Sequence, residues 1–200
     1  DFTISFGTET AGLDAEGDVV ATSEHLPSIA EIEAVLSAFT GPIEQIPPAF
    51  SAIKIDGKRA YDLARAGETV EMKARSVTIL SLTVSPERVE GRAVETHRPS
   101  TSSGLTEGLG EITLSAHVSK GTYIRSLARD IAYAVGTVGH VSMLRRTRAG
   151  PFGLEKAISL DKLNEIGKGA AAEDIILPME AGLDDIPALT LSPEQARAIR

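Results

Sequence analysis

Hydrophobic positions recur along this chain with two periods. Ile29, Ile32, Val35, Leu36 and Phe39 fall three and four residues apart, which places them on one helical face. Ser28 stands at the N-cap position, Glu31 follows three residues on as in a capping box, and Gly41 closes the segment. Ile124, Leu127, Ile131 and Val135 repeat the helical spacing, with Gly136 after them. Ile112, Leu114, Ala116 and Val118 alternate with period two, as do Val77 and Ile79, then Leu82 and Val84, within a β-branched stretch over residues 69–94. Residues 3–6 and 18–21 read as strands joined by a glycine-rich turn. Residues 51–55 read as a strand, Asp56-Gly57 as a turn, and 58–66 as a short helix stopped by Gly67. Residues 140–148 are expected as a strand and 161–166 as a short helix. Ser192-Pro193, with Gln195 three residues after the serine, opens another helix. Between them, 97–110 reads as a Ser/Thr/Gly/Pro surface insertion and 175–187 as a linker. The mixture predicts an α+β fold with a mostly antiparallel sheet flanked by helices.

Composition narrows the function classes. The 200 residues suit one good-sized domain or one domain and part of another. There is no cysteine, which removes disulfides, thiolate metal ligands and a thiol nucleophile. No apolar run approaches the roughly 18–20 residues of a membrane helix, and the first residues lack a secretion signal, so a cytoplasmic protein is expected. The chain opens on Asp1 already within strand-like sequence, and its last helix is barely begun, so both ends read as cut. Net charge is −8, unevenly spread. Residues 1–53 hold nine acidic and no basic side chains, residues 54–148 hold fifteen basic and ten acidic, and residues 149–200 hold five and nine. A basic middle between acidic ends is compatible with an RNA-binding face, and equally with an ordinary solvated surface.

Common catalytic signatures are missing: no Gly-x-Gly-x-x-Gly after a strand, no P-loop, no His-Glu-x-x-His, no Gly-x-Ser-x-Gly. His25, His97, His117 and His140 fall at no ligand spacing, so neither metal nor cofactor is expected. The distinctive segment runs from Ser119 to Asp130. There a strand enters Lys120-Gly121-Thr122, and the following helix start presents Tyr123 and Arg125 together. An arginine fork suits a carboxylate or phosphate and stays charged, and a tyrosine offers a flat face for a base. A buried tyrosine and a surface arginine at a plain helix start fit these residues as well.

Lys120-Gly121-Thr122-Tyr123-Ile124-Arg125 resembles the arginine-containing motif of the TruB family of tRNA pseudouridine synthases. Gly41-Pro42-Ile43-Glu44-Gln45-Ile46-Pro47-Pro48-Ala49-Phe50-Ser51-Ala52-Ile53-Lys54 is similar to that family's stretch before its active-site wall. The segments from Gly57 to Gly67 and from Gly139 to Arg148 match it too. Phe6-Gly7-Thr8-Glu9-Thr10 with Asp14-Ala15-Glu16-Gly17 resembles its early hairpin. The resemblance covers roughly residues 1–163, apart from an unusually long region over 88–110.

The resemblance implies isomerisation of one T-loop uridine in tRNA to pseudouridine, without metal or cofactor, on a base flipped into a pocket. Arg125 would pair with a nucleophilic aspartate and Tyr123 would contact the flipped base and assist proton movement. Leu144 would pack against the base. Lys54, Lys58, Arg59, Lys120, Arg145, Arg146 and Arg148 are candidates for phosphate contacts. The family's aspartate lies in a Leu-Asp-Pro motif upstream of Asp1, and a second tyrosine just before Asp1, so the chain alone is expected to be inactive. Asp14, Asp18 and Asp130 match no catalytic position, Asp14 belonging to the hairpin match. Residues 1–180 would form the catalytic domain without its aspartate segment, and 181–200 a linker and the start of a C-terminal RNA-binding domain. The partner would be the T-arm of tRNA and the protein a monomer. Alternatives are a non-catalytic RNA-binding module of the same fold, and a protein-interaction domain using the acidic 1–53 face.

Overall fold

The computed structural model describes residues 1–55, 57–68, 71–85, 108–167, 175–183, 186–187 and 189–198. They divide into two compact units, Asp1–Arg145 and Arg146–Arg200. In chain order the first unit contains β1 (Phe2–Phe6), β2 (Thr8–Thr10), β3 (Val19–Thr22), α1 (Ile29–Leu36), β4 (Gly41–Gln45), β5 (Lys54–Ile55), β6 (Lys58–Arg59), α2 (Ala60–Arg65), β7 (Arg75–Val84), β8 (Glu111–Val118), α3 (Ile124–Ala134) and β9 (Gly139–Leu144). Five strands form one sheet in the order β4-β7-β8-β1-β9, every pair antiparallel. The fold is α+β, as the two periods imply.

β1 lies between β8 and β9, and nearly all of it is buried. Phe2, Ile4 and Phe6 enter the core with Ile79, Ile112 and Leu114, where they meet Ile32 and Leu36 of α1 and Leu127, Ala128 and Ile131 of α3. Aliphatic packing of this kind supplies most of the stabilisation, at about 25 cal/mol per Å² of apolar area removed from water. Thr3 and Thr113 face each other in register and join their hydroxyls at 2.9 Å, so the buried polar pair satisfies itself. α1 starts as its sequence requires: Ser28 Oγ accepts the Glu31 N–H while a Glu31 carboxylate oxygen accepts the Ser28 N–H. That bond holds the Glu31 carboxyl below its ordinary value.

Four boundaries differ from expectation, the first being that the strand stretch expected from residue 69 begins only at Arg75. The helix expected from residue 58 starts at Ala60, because Lys58 and Arg59 are taken up in a ribbon with Lys54 and Ile55. For the same reason only Lys54–Ile55 of the expected 51–55 strand is extended and paired. β9 stops at Leu144 rather than 148, since Leu144 pairs with Phe2 at the end of β1. The strand expectation beyond residue 85 and the expected insertion up to residue 107 lie outside the described residues.

The second unit holds a hairpin of β10 (Arg148–Ala149) and β11 (Phe152–Gly153), then α4 (Leu160–Ile166) and α5 (Pro193–Ala198). Ser159 caps α4, and Ser192 and Gln195 exchange bonds at the start of α5. Among the described residues no helix is long and apolar enough to cross a membrane. None of them forms a group of three metal-ligating side chains.

Candidate active site around Arg125

β8 leaves the sheet at Val118, and Ser119 still holds β7 through Thr78. Lys120-Gly121 then reverses the chain; Gly121 has φ +92°, a left-handed backbone that glycine adopts without strain. Thr122 returns its hydroxyl to the Ser119 carbonyl at 2.9 Å, and Tyr123 becomes the N-cap of α3. Arg125 therefore lies in the first turn of a helix whose opposite face is locked in the core.

Three anchors fix its guanidinium. Nη1 donates to the Gly12 carbonyl at 2.7 Å and to Asp14 Oδ2 at 2.7 Å, and Nη2 donates to the Phe50 carbonyl at 2.8 Å. Arginine carries five N–H donors, so three bonds leave two for another acceptor. The Arg125 and Asp14 side chains are 25% and 36% exposed, a pair only partly in contact with water.

Backbone geometry presents the hairpin's two acceptors together. Leu13, between them, has φ +60°, which costs a branched residue of this size about 1–3 kcal/mol. Its side chain is only 5% exposed, its N–H donates to Thr10 and its carbonyl accepts from Val141 of β9. Apolar burial and two backbone bonds hold the strained turn, so Gly12 O and the Asp14 carboxylate can both reach Arg125. Asp14 Oδ1 additionally accepts the Glu16 N–H.

The connector after β4 is tied to the same helix turn. Gln45 Oε1 accepts the Tyr123 N–H at 2.8 Å, and the Ile46 carbonyl accepts from Ser126 Oγ and from Arg129. Pro47 and Pro48 then carry the chain to Phe50 and Ser51. Phe50 meets Tyr61 edge to face, and Arg65 lies over the Tyr61 ring at 4.9 Å.

Of the residues expected at a site, Arg125 and Tyr123 stand together at the start of α3. Leu144 is 57% exposed at the end of β9. Lys54 faces Arg59 directly across the β5–β6 ribbon, with Lys58 next to it, and all three are exposed. Like charges opposed in this way repel unless an anion joins them. Lys120 is exposed in the turn before α3, and Arg145 is exposed after β9. In the second unit Arg146 and Arg148 are exposed, Arg148 donating to the Gly150 carbonyl. Asp14, set aside on its sequence context, stands as Arg125's partner from 111 residues away. Gly12, Phe50 and Gln45 join the site through groups that sequence does not single out.

A cleft of about 480 Å³ lies further along α3, lined by Glu9, Leu13, Val20, Ile46, Ala49 and Tyr133 among others; it does not include Arg125 or Tyr123. Desolvation, and then the Glu9 carboxylate that accepts its O–H at 2.6 Å, push the Tyr133 phenol up to about 12. Ionisation should therefore be resisted in the folded state: stability falls as pH rises from the unfolded value near 10 through about 12. Ultraviolet titration of the native chain should show one of its three tyrosines ionising late. Tyr133→Phe should remove that late step, and Glu9→Gln should move it back toward lower pH.

Comparison with known proteins adds the following. Residues 1–124 match the family model described as TruB family pseudouridylate synthase (N terminal domain), and residues 125–184 match tRNA pseudouridylate synthase B C-terminal domain. The tRNA pseudouridine synthase B of Novosphingobium aromaticivorans is 59% identical over 199 residues, and that of Zymomonas mobilis 50% over 202. Each match takes in 100% of this chain but 60% and 59% of the relative, so the chain spans about three fifths of their length. Among solved structures, a chain of a Cbf5-Nop10-Gar1 complex superimposes with TM-score 0.52 at 25% identity, over 91% of this chain and 42% of that one. A chain of an H/ACA RNP bound to a substrate RNA containing 2′-deoxyuridine shares the fold at TM-score 0.50 and 20% identity, over 91% and 41%.

Proposed function

The chain belongs to the TruB pseudouridylate synthase family, and from that premise we propose that it is the RNA-gripping part of a cytoplasmic, monomeric enzyme that isomerises a T-loop uridine of tRNA to pseudouridine. The observation that carries the reading is that Arg125, two residues after Tyr123, has three of its five donors held and two without an acceptor among the described residues. A guanidinium already fixed by Gly12, Asp14 and Phe50 is preorganised to receive one more carboxylate. In this reading that carboxylate is the nucleophilic aspartate of a Leu-Asp-Pro segment in the part of the family fold outside these 200 residues. Arg125 keeps it ionised and oriented.

The chemistry is an isomerisation. The aspartate attacks the nucleoside and the N1–C1′ bond breaks. The freed uracil turns, and C5 bonds to C1′ as the bond between C1′ and the aspartate breaks and returns the carboxylate. The C5 proton is lost and N1 gains one. Tyr123 contacts the flipped base and assists that proton movement, and Leu144 packs against the base. Lys54, Lys58, Arg59, Lys120, Arg145, Arg146 and Arg148 meet phosphates, positioning rather than specifying the RNA. Residues 1–180 supply this catalytic part, with 181–200 leading into a further RNA-binding domain.

A second reading rests on Asp14: with a carboxylate already in hand, Arg125 would merely clamp the hairpin tip, and the chain would bind RNA without acting on it. Both readings differ from a protein-interaction role in one measurement. Binding of the 200 residues to a T-arm stem-loop should weaken linearly in log K against log salt. Removing Lys54 and Arg59 together should lower the slope by about two, roughly one per phosphate contact. A scrambled loop should bind less well than the native one. A slope near zero, or equal affinity for both loops, would contradict the T-loop reading.

A further inference from the structure

Gln45 is the last residue of β4 and is 1% exposed. Its amide is used on one side only: Oε1 accepts the Tyr123 N–H at 2.8 Å, while Nε2 has no partner among the described residues. The orientation is dictated by that bond. Turned over, the amide would set its N–H₂ against the Tyr123 N–H, leaving donor facing donor and Oε1 unpaired.

What the bond holds is the N-cap of α3. The amide of a helix N-cap has no partner within the helix, and the Tyr123 side chain makes no capping bond. The residue two before it, Gly121, has φ +92°, and nothing lies within 4 Å of a Cβ placed there, so no side chain of the turn packs against the helix start at that position. Gln45 therefore supplies the acceptor for the Tyr123 N–H where the Lys120-Gly121 turn passes into the helix. The neighbouring Ile46 carbonyl holds Ser126 and Arg129, which locks the body of the helix but not its first residue.

We propose that Gln45 is a positioning residue for the reaction, setting Tyr123, and through the first helical turn Arg125, by the single bond from its buried amide oxygen to the Tyr123 N–H. This rests on the catalytic reading given above for the same site. The contribution is one of geometry, not of RNA affinity, because Gln45 is sealed from any surface that RNA can touch. It belongs in the turnover number and not in KM.

The test compares Gln45→Met, which keeps length and loses the acceptor, with Gln45→Glu, which keeps an acceptor oxygen. In the 200-residue chain, hydrogen exchange at the Tyr123 amide should quicken about tenfold or more in Gln45→Met, as for a lost buried hydrogen bond. Core amides such as those of Leu114 and Ile131 should hold their rates, which reports an intact fold. In the chain completed with the segment that precedes the matched region of the Novosphingobium relative, kcat should fall about tenfold in Gln45→Met, with KM within about twofold. Gln45→Glu, which keeps the acceptor oxygen, should lose less than Gln45→Met on both readouts, although burial of its carboxyl keeps it below the parent. Unchanged Tyr123 exchange in Gln45→Met, equal losses in both variants, or a loss carried by KM would each overturn the proposal. If the completed parent itself shows no turnover, the catalytic reading fails and with it Gln45's catalytic role. The exchange result then still decides whether the amide holds the N-cap.

Discussion

Arg125→Ala in the completed chain should lower turnover of a T-arm uridine roughly 10³-fold, the scale seen when a preorganised charged or polar donor is removed from a site. RNA affinity should change by less than about threefold, because three of the five donors face protein acceptors and phosphate contacts lie elsewhere. Arg125→Lys should recover little. Lysine keeps the charge but brings a point donor to a place where a planar fork meets acceptors from the hairpin, from the connector and, in the proposed mechanism, from the nucleophile. Stability should fall as well. The alanine variant leaves Gly12 O and Phe50 O without partners and the Asp14 carboxylate unpaired. With the pair partly hydrated, the loss should be about 3 kcal/mol, readable in urea unfolding of the 200-residue chain. Turnover within about tenfold of the parent would remove Arg125 from the mechanism.

The second large effect is expected at Asp14. If Asp14 holds Arg125 and does not attack the nucleoside, Asp14→Asn should slow turnover about tenfold and Asp14→Ala about a hundredfold. The asparagine keeps the shape and an oxygen for the guanidinium, and the alanine keeps neither. Both should retain RNA binding and lose about 1 kcal/mol or less of stability, as befits an ion pair with a third of its carboxylate side chain in water. Were Asp14 itself the nucleophile, the asparagine variant would be as dead as the alanine variant. Chemical rescue of the aspartate segment would then do nothing. The geometry favours the holding role: one carboxylate oxygen is on Arg125, the other accepts the Glu16 N–H, and the backbone on either side is stitched into the hairpin and β9.

Much of this architecture is legible in the sequence because it is local. The capping box of Ser28 and Glu31 forms as spelled, and α3 buries Leu127 and Ile131, with Val135 buried at its C-cap, as their spacing requires. The alternation of β8 places Ile112 and Leu114 in the core. Arg125 and Tyr123 stand out in sequence because a glycine turn and a helix start keep them together. What is not legible is the other half of the site. Asp14 meets Arg125 across 111 residues, and the contact depends on Leu13 taking a left-handed backbone that no leucine advertises. Gly12 and Phe50 contribute carbonyls, which every residue has. Gln45 reads as one polar residue in an extended connector until its burial and its bond to Tyr123 are known. Pairing partners also set the β9 end and the β5–β6 ribbon, where local pattern runs on past the true boundary.

In the proposed mechanism Arg125 receives a second carboxylate, which performs the isomerisation. T-arm RNA carrying tritium at C5 of its uridines is incubated with the 200-residue chain, with the chain completed by the relative's preceding segment, and with the completed chain whose Leu-Asp-Pro aspartate is changed to asparagine. Tritium should be released by the completed chain alone, because C–C bond formation at C5 frees that proton. Release by the 200 residues alone, or by the asparagine form at the parent rate, would contradict that mechanism.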